Sequence, residues 1–210
     1  MFNDNFTRYS SREDMIIEKW INGTEWLVNE VIRFEPDNTG FHDYRVWLKD
    51  GSTFTVEVKE EEYYWYNRTG NIGLDFISAF HFRSRERERY WKYDNNYWVP
   101  TNKIAGFLAN DIDVLKWGKL RTCDANVQLF YVEDKGRTIL MIPYSNYKLQ
   151  NEGFIDYIKS KYRLRINKKS DYGLNDDWES AAFFVKPEDQ FLMKCRIDSL
   201  DDLIDCIKGE

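Results

Sequence analysis

Residues 43–59 read DYRVWLKDGSTFTVEVK, in which two runs of alternating polar and apolar side chains flank the pair Asp50-Gly51. Alternation with a period of two is typical of a β-strand that has one buried and one exposed face. Asp-Gly is a favoured turn sequence between two such strands, because glycine adopts positive φ values at no steric cost. The stretch therefore predicts a β-hairpin.

The register of this hairpin determines which side chains share a face. We predict a bulged turn with Gly51 in the left-handed position, which places Asp43 opposite Glu57 and on the same face as Lys59. A two-residue turn would shift the pairing by one residue and set Asp43 opposite Val58, on the other face. The bulged turn is preferred because it keeps both strands amphipathic together. The core face then carries Tyr44, Val46, Leu48, Phe54, Val56 and Val58.

Asp43, Glu57 and Lys59 would form a polar patch on the other face of the hairpin. Carboxylates supply the hard oxygen ligands that Mg²⁺ or Mn²⁺ prefers, and Mg²⁺ keeps several of its waters. A lysine beside such a cation can orient a water and stabilise the charge that develops on a phosphoryl group. The patch therefore indicates metal-dependent cleavage of a phosphodiester. Taken alone, such a patch is more often a hairpin whose charges merely face water.

Further segments follow the hairpin in a recognisable order. Asp43 and the triplet EVK at 57–59 are followed by TGNIGLD at 69–75, and then by GKLRTCDAN at 118–126 ahead of the apolar run 129–132. Together these segments resemble the restriction-endonuclease-like superfamily of nucleases, whose signature is written PD-(D/E)XK, and in particular its phage-type members.

The resemblance implies Mg²⁺-dependent hydrolysis of DNA, with Mn²⁺ as a substitute, in a site built on the hairpin. Asp43 and Glu57 would be the metal ligands, and the backbone carbonyl of Val58 would be a third ligand. Lys59 would orient or activate the attacking water and stabilise charge in the transition state.

Three more catalytic candidates enter through the resemblance. Glu18, on the first predicted helix, is the candidate for an acid that completes the metal site in some relatives, although it is also readily explained as an exposed acid. Asp75 stands where a glutamate is more usual, and its shorter side chain reaches less far. Lys119 lies in a region that is near the site in these proteins. His42 also departs from the family pattern, because a proline often precedes the aspartate.

The order of the predicted elements indicates an α/β fold with a mixed central sheet flanked by helices, a restriction-endonuclease-like core and an elaborated insertion. At 210 residues, the chain is most simply a single domain, 1–210, with the insertion at about 60–115. The predicted helices are 11–22, 104–108, 115–120, 154–162 and 199–207, and the predicted strands are 26–34, 43–48, 53–59, 72–82, 127–132, 138–142 and 178–185.

Charge and cysteine content limit the class of protein. The net charge of −6 argues against broad nonspecific binding of nucleic acid but leaves room for a local basic groove. Three cysteines without CxxC spacing favour reduced thiols in a cytoplasmic protein over a disulfide scaffold. The first residues lack a signal-peptide pattern, and no apolar run approaches the length of a membrane span. We therefore expect a cytoplasmic protein without a membrane partner.

Two basic segments are candidates for contacts with a phosphate backbone. The first is interrupted by glutamates, whereas the second, at 159–169, contains no acid and is the better candidate. The proposed contact residues are Arg85 and Arg87 in the first segment and Lys161, Arg163, Arg165 and Lys168 in the second. Such runs are nevertheless usually plain solvated faces. The expected partner is DNA, and a homodimer is left open because many members of the family act as dimers.

Two other functions stay open beside a DNA nuclease of phage or mobile-element type. One is a catalytically inactive member of the same fold that serves as a binding or regulatory module, which the acidic charge and Asp75 favour. The other is an unrelated α/β interaction protein whose hairpin matches by chance. The sequence does not distinguish DNA from RNA, or duplex from single-stranded and branched substrates.

Overall fold

The computed structural model describes residues 3–37, 42–61, 69–82, 91–94, 97–100, 112–162, 164–168 and 179–209. The protein is a mixed α/β structure with two main sheets and flanking helices, so the predicted fold class is confirmed. The chain divides into two compact units. The first unit consists of Met1–Gly70, Cys123–Asn151 and Pro187–Glu210, and the second of Asn71–Thr122 and Glu152–Lys186.

Helices and strands are interleaved along the chain. The helices are α1 (Asn3–Gly23), α2 (Glu25–Val28), α3 (Lys119–Thr122), α4 (Asn146–Leu149), α5 (Glu152–Lys161), α6 (Gln190–Met193) and α7 (Leu200–Lys208). The strands are β1 (Val31–Pro36), β2 (Tyr44–Leu48), β3 (Thr53–Glu61), β4 (Ile72–Phe82), β5 (Trp91–Asp94), β6 (Tyr97–Pro100), β7 (Ile112–Trp117), β8 (Val127–Asp134), β9 (Arg137–Ser145), β10 (Leu164–Lys168) and β11 (Glu179–Val185).

The sheet of the first unit has the strand order β1-β2-β3-β8-β9. Strands β1, β2 and β3 form an antiparallel meander, β8 runs parallel to β3, and β9 is antiparallel to β8. Strand β3 lies between β2 and β8; its residues 57–59 pair with β8, whereas its pairing with β2 ends at Val56.

The hairpin between β2 and β3 has the bulged-turn register, so this prediction is confirmed. Tyr44 pairs with Val56, and the Leu48 N–H donates to the Ser52 carbonyl at 2.9 Å. Gly51 has a φ of +87°, a conformation that an L side chain rarely adopts. Continued by one residue, this register sets Asp43 opposite Glu57.

The core of the first unit lies between the hairpin and helix α1. All six side chains predicted for the core face of the hairpin are buried. They pack with Ile16, Ile17 and Trp20 of α1, and the Trp20 ring meets the Phe54 ring edge-on at 6.2 Å between centroids. Each large apolar side chain buried in this way stabilises the fold by roughly 1.5–3 kcal/mol. This packing fixes α1 against the strands that carry the predicted site.

The main sheet of the second unit has the strand order β10-β11-β4-β7, and its neighbours are antiparallel. Strands β5 and β6 pair with each other. Helix α5 buries Phe154, Ile155 and Ile158. Gly118 follows β7, where its N–H donates to the Phe76 carbonyl at 2.9 Å. A Cβ at Gly118 would collide with the backbone of Asp75, so this close approach requires glycine.

Three sequence-based element predictions are wrong. Helix α1 begins at Asn3 rather than at residue 11. The predicted strand 26–34 begins only at Val31, because Leu27 is buried and lies in the short helix α2, whose amides bond to the Thr24 carbonyl. The predicted helix 115–120 is correct only at 119–120, which lie in helix α3; residues 115–117 lie in strand β7, because pairing with the distant strand β4 overrides the local preference. The predicted helix 104–108 lies outside the described residues.

The predicted insertion at 60–115 overlaps the first segment of the second unit, to which Glu152–Lys186 contributes a second segment. The single-domain organisation stays a prediction. Among the helices that the structure describes, none is both long enough and apolar enough to cross a bilayer.

Candidate metal site

Glu57 and Lys59 form a partly buried ion pair on the face of β3 opposite to the one that carries Val56 and Val58. The Glu57 side chain is only 3% exposed, and Lys59 Nζ donates to Glu57 Oε1 at 2.5 Å. A carboxylate that is buried without a partner would cost several kcal/mol, of the order found when one member of a buried pair is removed (~3–5 kcal/mol). In this structure the ammonium group of Lys59 supplies the positive charge that Glu57 requires.

Asp43 lies immediately before β2, and its carboxylate is held against the backbone of β3. Asp43 Oδ2 accepts a hydrogen bond from the Val58 N–H at 2.6 Å, and the Asp43 N–H donates to the Val56 carbonyl at 3.1 Å. Val58 stands between Glu57 and Lys59 in the chain. The structure therefore brings the three predicted side chains together, and it uses the amide of Val58 to do so. A ligand role for the Val58 carbonyl stays a prediction.

Glu13 of α1 belongs to the same electrostatic cluster and was not among the predicted site residues. Partial burial, together with the negative charges of Asp43 and Glu57, raises the pKa of Glu13 to about 7, and the positive charge of Lys59 opposes this rise. Glu13, Asp43, Glu57 and Lys59 thus form one electrostatic cluster. Its three carboxylates outnumber its single ammonium group, so the cluster has an excess of negative charge.

Glu18, the predicted helix acid, is exposed on α1. It lies five residues after Glu13, which turns its side chain by about 140° around a helix with 3.6 residues per turn. Glu13 precedes the buried Ile16 and Ile17 by three and four residues, so it shares their face of the helix. An acid at helical spacing from buried residues is the signal in the sequence that could have identified it.

Asp14 holds α1 next to the start of β2. The Tyr44 hydroxyl donates to Asp14 Oδ1 at 2.6 Å, and burial, followed by this carboxylate, raises the pKa of Tyr44 far above its usual range. Tyr44 is adjacent to Asp43, and Asp14 is adjacent to Glu13. This hydrogen bond therefore joins the two chain segments that carry the acids.

A second polar network holds the residue that precedes Asp43. The His42 ring nitrogens Nε2 and Nδ1 lie 2.5 Å from Asp37 Oδ2 and 3.4 Å from Asp124 Oδ1. Arg45 donates to the same Asp37 oxygen through Nε and Nη2, at 3.3 and 3.0 Å. The Asp37 N–H also donates to the Asp43 carbonyl at 2.9 Å. Asp37 therefore restricts the backbone around His42, the position at which the family pattern often has a proline.

The donor chemistry of the cluster fits Mg²⁺ or Mn²⁺. Asp43 and Glu57 offer hard carboxylate oxygens, and Mg²⁺ needs only one or two of these because it keeps its remaining waters. Among the described residues, no group of three or more Asp, Glu, His and Cys side chains is arranged as a ready-made metal site. A cation held here would compete with Lys59 for the oxygens of Glu57.

The other predicted catalytic residues belong to the second unit. Asp75 accepts a hydrogen bond from the Ser78 hydroxyl at 2.7 Å, and Lys119 is the first residue of α3. A catalytic role for Asp75 and Lys119 stays a prediction.

Few of the predicted nucleic-acid contacts can be placed by their side chains. Lys161 Nζ donates to the Tyr157 hydroxyl at 2.5 Å, and the Arg165 guanidinium carbon lies 5.5 Å from the centre of the Phe184 ring. Lys168 is the last residue of β10. Arg85, Arg87 and Arg163 lie outside the described residues.

Comparison with family models, with curated proteins and with solved structures finds no match to this chain. Its functional interpretation therefore depends on its own residues and their geometry.

Proposed function

We propose that the protein is a Mg²⁺- or Mn²⁺-dependent nuclease that hydrolyses phosphodiester bonds of DNA. The observation that carries this proposal is the placement of the Asp43 carboxylate on the Val58 amide, directly beside the Glu57–Lys59 pair. These two acids and the amine are the residues that carry the resemblance to the PD-(D/E)XK signature: Asp43 immediately precedes β2, and Glu57 and Lys59 lie in β3. The buried thiols of Cys123, Cys195 and Cys206 are compatible with a reducing, cytoplasmic setting for this activity.

The roles of the residues follow from their chemistry. Asp43 and Glu57 would hold the cation, which would supply Lewis acidity to a phosphoryl oxygen and lower the pKa of a bound water. Lys59, released from Glu57, would hold the attacking water and stabilise the negative charge that develops in the transition state.

The electrostatics of the cluster support a divalent cation. The raised pKa of Glu13 arises from burial and from Asp43 and Glu57, so these acids repel one another in the absence of a cation. Only Lys59 opposes this repulsion among the groups that shift Glu13. A divalent cation would relieve the excess negative charge and therefore bind favourably.

A catalytically inactive binding or regulatory protein is the second candidate. The pairing of Lys59 with Glu57 favours it, because the ammonium group already neutralises an oxygen that a metal would need. In this case the cluster would stabilise the sheet as a salt-bridged structure, and the protein would show no metal-dependent activity.

Metal titration and a cleavage assay distinguish the two candidates. We expect Mn²⁺ to bind the wild-type protein in calorimetry, and Asp43→Asn and Glu57→Gln to weaken this binding by on the order of tenfold or more, since affinity depends on ligand charge. In the same two variants, cleavage of plasmid, single-stranded and branched DNA in the presence of Mg²⁺ should also decrease. Glu60→Gln is the matched control, because Glu60 lies in the same strand but pairs with Arg12.

Each result decides between the candidates. Mn²⁺ binding and cleavage that both depend on Asp43 and Glu57 support the nuclease. A folded wild-type protein that binds no Mn²⁺ and cleaves none of the DNA substrates contradicts it and leaves the inactive protein. Cleavage that survives both substitutions would mean that the catalytic site is elsewhere.

A further inference from the structure

Phe76 in β4 is the centre of a cluster of rings and cations in the second unit. The Trp117 ring meets it edge-on at 5.6 Å between centroids. The Arg121 guanidinium carbon lies 4.6 Å from the centre of the Trp117 ring and 5.5 Å from that of Phe76. Lys159 Nζ lies 5.6 Å from the centre of the Phe76 ring. We call Trp117, Arg121 and Lys159 the Trp117 patch, since all three converge on this one ring.

The Trp117 patch is accessible to solvent, although the Phe76 ring beneath it is buried. The Phe76 side chain is 2% exposed, whereas Trp117 is 38% exposed, and the side chains of Arg121 and Lys159 are 30% and 37% exposed. Three elements supply the patch: the end of β7, helix α3 and helix α5. Phe76 therefore holds an indole and two cations in place at the surface.

Two acids lie at the rim of the patch. Glu152 is 3.4 Å from Arg121, and Asp156 is 3.8 Å from Lys159. Both acids are about three-quarters exposed, at 72% and 74%. Exposed ion pairs of this kind contribute little to stability, because water and salt screen them. Both cations can therefore exchange these carboxylates for the phosphates of a ligand.

The charge of the second unit matches an anionic ligand. Lys and Arg outnumber Asp and Glu in the second unit, whereas the first unit is more acidic than the chain as a whole, whose net charge is −6. A local excess of positive charge attracts nucleic acid even when the whole protein is acidic.

We propose that the Trp117 patch binds a single strand of nucleic acid, with a base against Trp117 and the flanking phosphates on Arg121 and Lys159. An exposed indole favours an unpaired strand, because the faces of bases are accessible only when they are not stacked in a duplex. Arg121 lies over the Trp117 ring and Lys159 lies over the adjoining Phe76 ring, so both cations are available to phosphates near such a base. A single strand would then also be the substrate of the proposed nuclease. Cleavage of the strand rests on that proposed function, whereas binding of the strand does not.

Fluorescence anisotropy with a labelled 20-nucleotide single strand, in EDTA and at several salt concentrations, tests the proposal. Trp117→Leu keeps an apolar contact with Phe76 but removes the ring. We expect it to weaken binding by about 5- to 100-fold, the range found for loss of one stacked base, and to leave the salt dependence unchanged. The double variant Arg121→Gln/Lys159→Gln should reduce the slope of log K against log salt concentration by about 1.4, or roughly 0.7 for each phosphate contact.

Arg33→Gln is the matched control, because Arg33 lies over Trp47 at 4.2 Å in the acidic first unit. It should bind the single strand like the wild type. A duplex of the same length should bind more weakly and should not respond to Trp117→Leu. The proposal is overturned if the wild type does not bind the single strand, if folded Trp117→Leu binds it normally, or if Arg33→Gln weakens it equally. Because EDTA removes the metal, these results are independent of whether the protein cleaves DNA.

Discussion

Arg33 lies over Trp47 in the first unit at 4.2 Å, and Arg121 lies over Trp117 in the second at 4.6 Å. The two contacts are nearly the same, but their surroundings differ. Each arginine has an exposed acid nearby, since Glu35 is 4.0 Å from Arg33 and Glu152 is 3.4 Å from Arg121. Arg33, however, belongs to an acidic unit, whereas Arg121 shares its patch with a second cation in a basic unit. A cation–π pair therefore does not make a phosphate-binding surface by itself. The sign of the surrounding charge decides whether it attracts or repels an anion.

The same difference separates the two units as a whole. In the first unit, carboxylates lie close together around β3, and such a cluster favours binding of a cation. In the second unit, Arg121 and Lys159 lie against aromatic rings, and such a surface favours binding of an anionic strand. A nuclease needs both kinds of surface. Substitutions of Asp43, Glu57 and Lys59 should therefore change metal binding and cleavage without changing single-strand binding in EDTA.

Lys59→Ala should have the largest effect. Loss of an electrostatic group that acts in the transition state lowers the rate by about 100-fold or more. Mn²⁺ should bind this variant at least as well as the wild type, because the substitution frees the buried Glu57 carboxylate from its ammonium partner. Single-turnover cleavage and Mn²⁺ calorimetry measure the two quantities.

The control for Lys59→Ala is Glu60→Gln, which changes a neighbouring acid of β3 that pairs with Arg12. Wild-type cleavage by a folded Lys59→Ala variant would contradict the assigned role. Weaker single-strand binding in EDTA by Lys59→Ala would instead show that the two surfaces are not separate.

Asp37→Asn should have an intermediate effect. Asp37 bonds to His42 and Arg45 and to the backbone of Asp43, so it acts on the metal through the position of Asp43. Groups that orient a metal ligand typically change affinity by about 10- to 100-fold when they are removed. We expect Mn²⁺ affinity to fall within this range in calorimetry. Glu35→Gln, which changes an exposed acid near the end of β1, is the control, and equal Mn²⁺ affinities in the two variants would exclude a positioning role for Asp37.

Glu13→Gln should have the smallest effect, on the pH dependence of stability without metal. The pKa of Glu13 is raised from 4.5 to about 7 in the folded protein, mainly by burial. Its contribution to stability is therefore complete below pH 4.5 and is lost as the pH rises through about 7. Glutamine cannot ionise, so the variant should match the wild type near pH 4 and exceed it in Tm at pH 8. A Tm difference that does not change with pH would refute this coupling.

The hairpin shows how much of the structure a local sequence pattern can predict. Alternation and the Asp50-Gly51 turn predict its register and its core face correctly, because both depend on residues within a few positions of one another. The same register is sufficient to group Asp43 with Glu57 and Lys59. Strand β7 and helix α2 are missed for the opposite reason, since distant strand pairing and burial against a distant core override short-range preference.

The cluster of Glu13, Asp43 and Glu57 forms through tertiary packing as well as through the local pattern of the hairpin. Glu13 and Asp124 come from segments far from the hairpin in sequence: the packing of α1 brings Glu13 near Asp43, and Asp124, just ahead of β8, meets His42. The Trp117 patch likewise joins residues from β7, α3 and α5 on one buried ring. Turns and strand faces follow from steric rules of neighbouring residues, whereas the meeting of charges depends on which apolar surfaces are buried together.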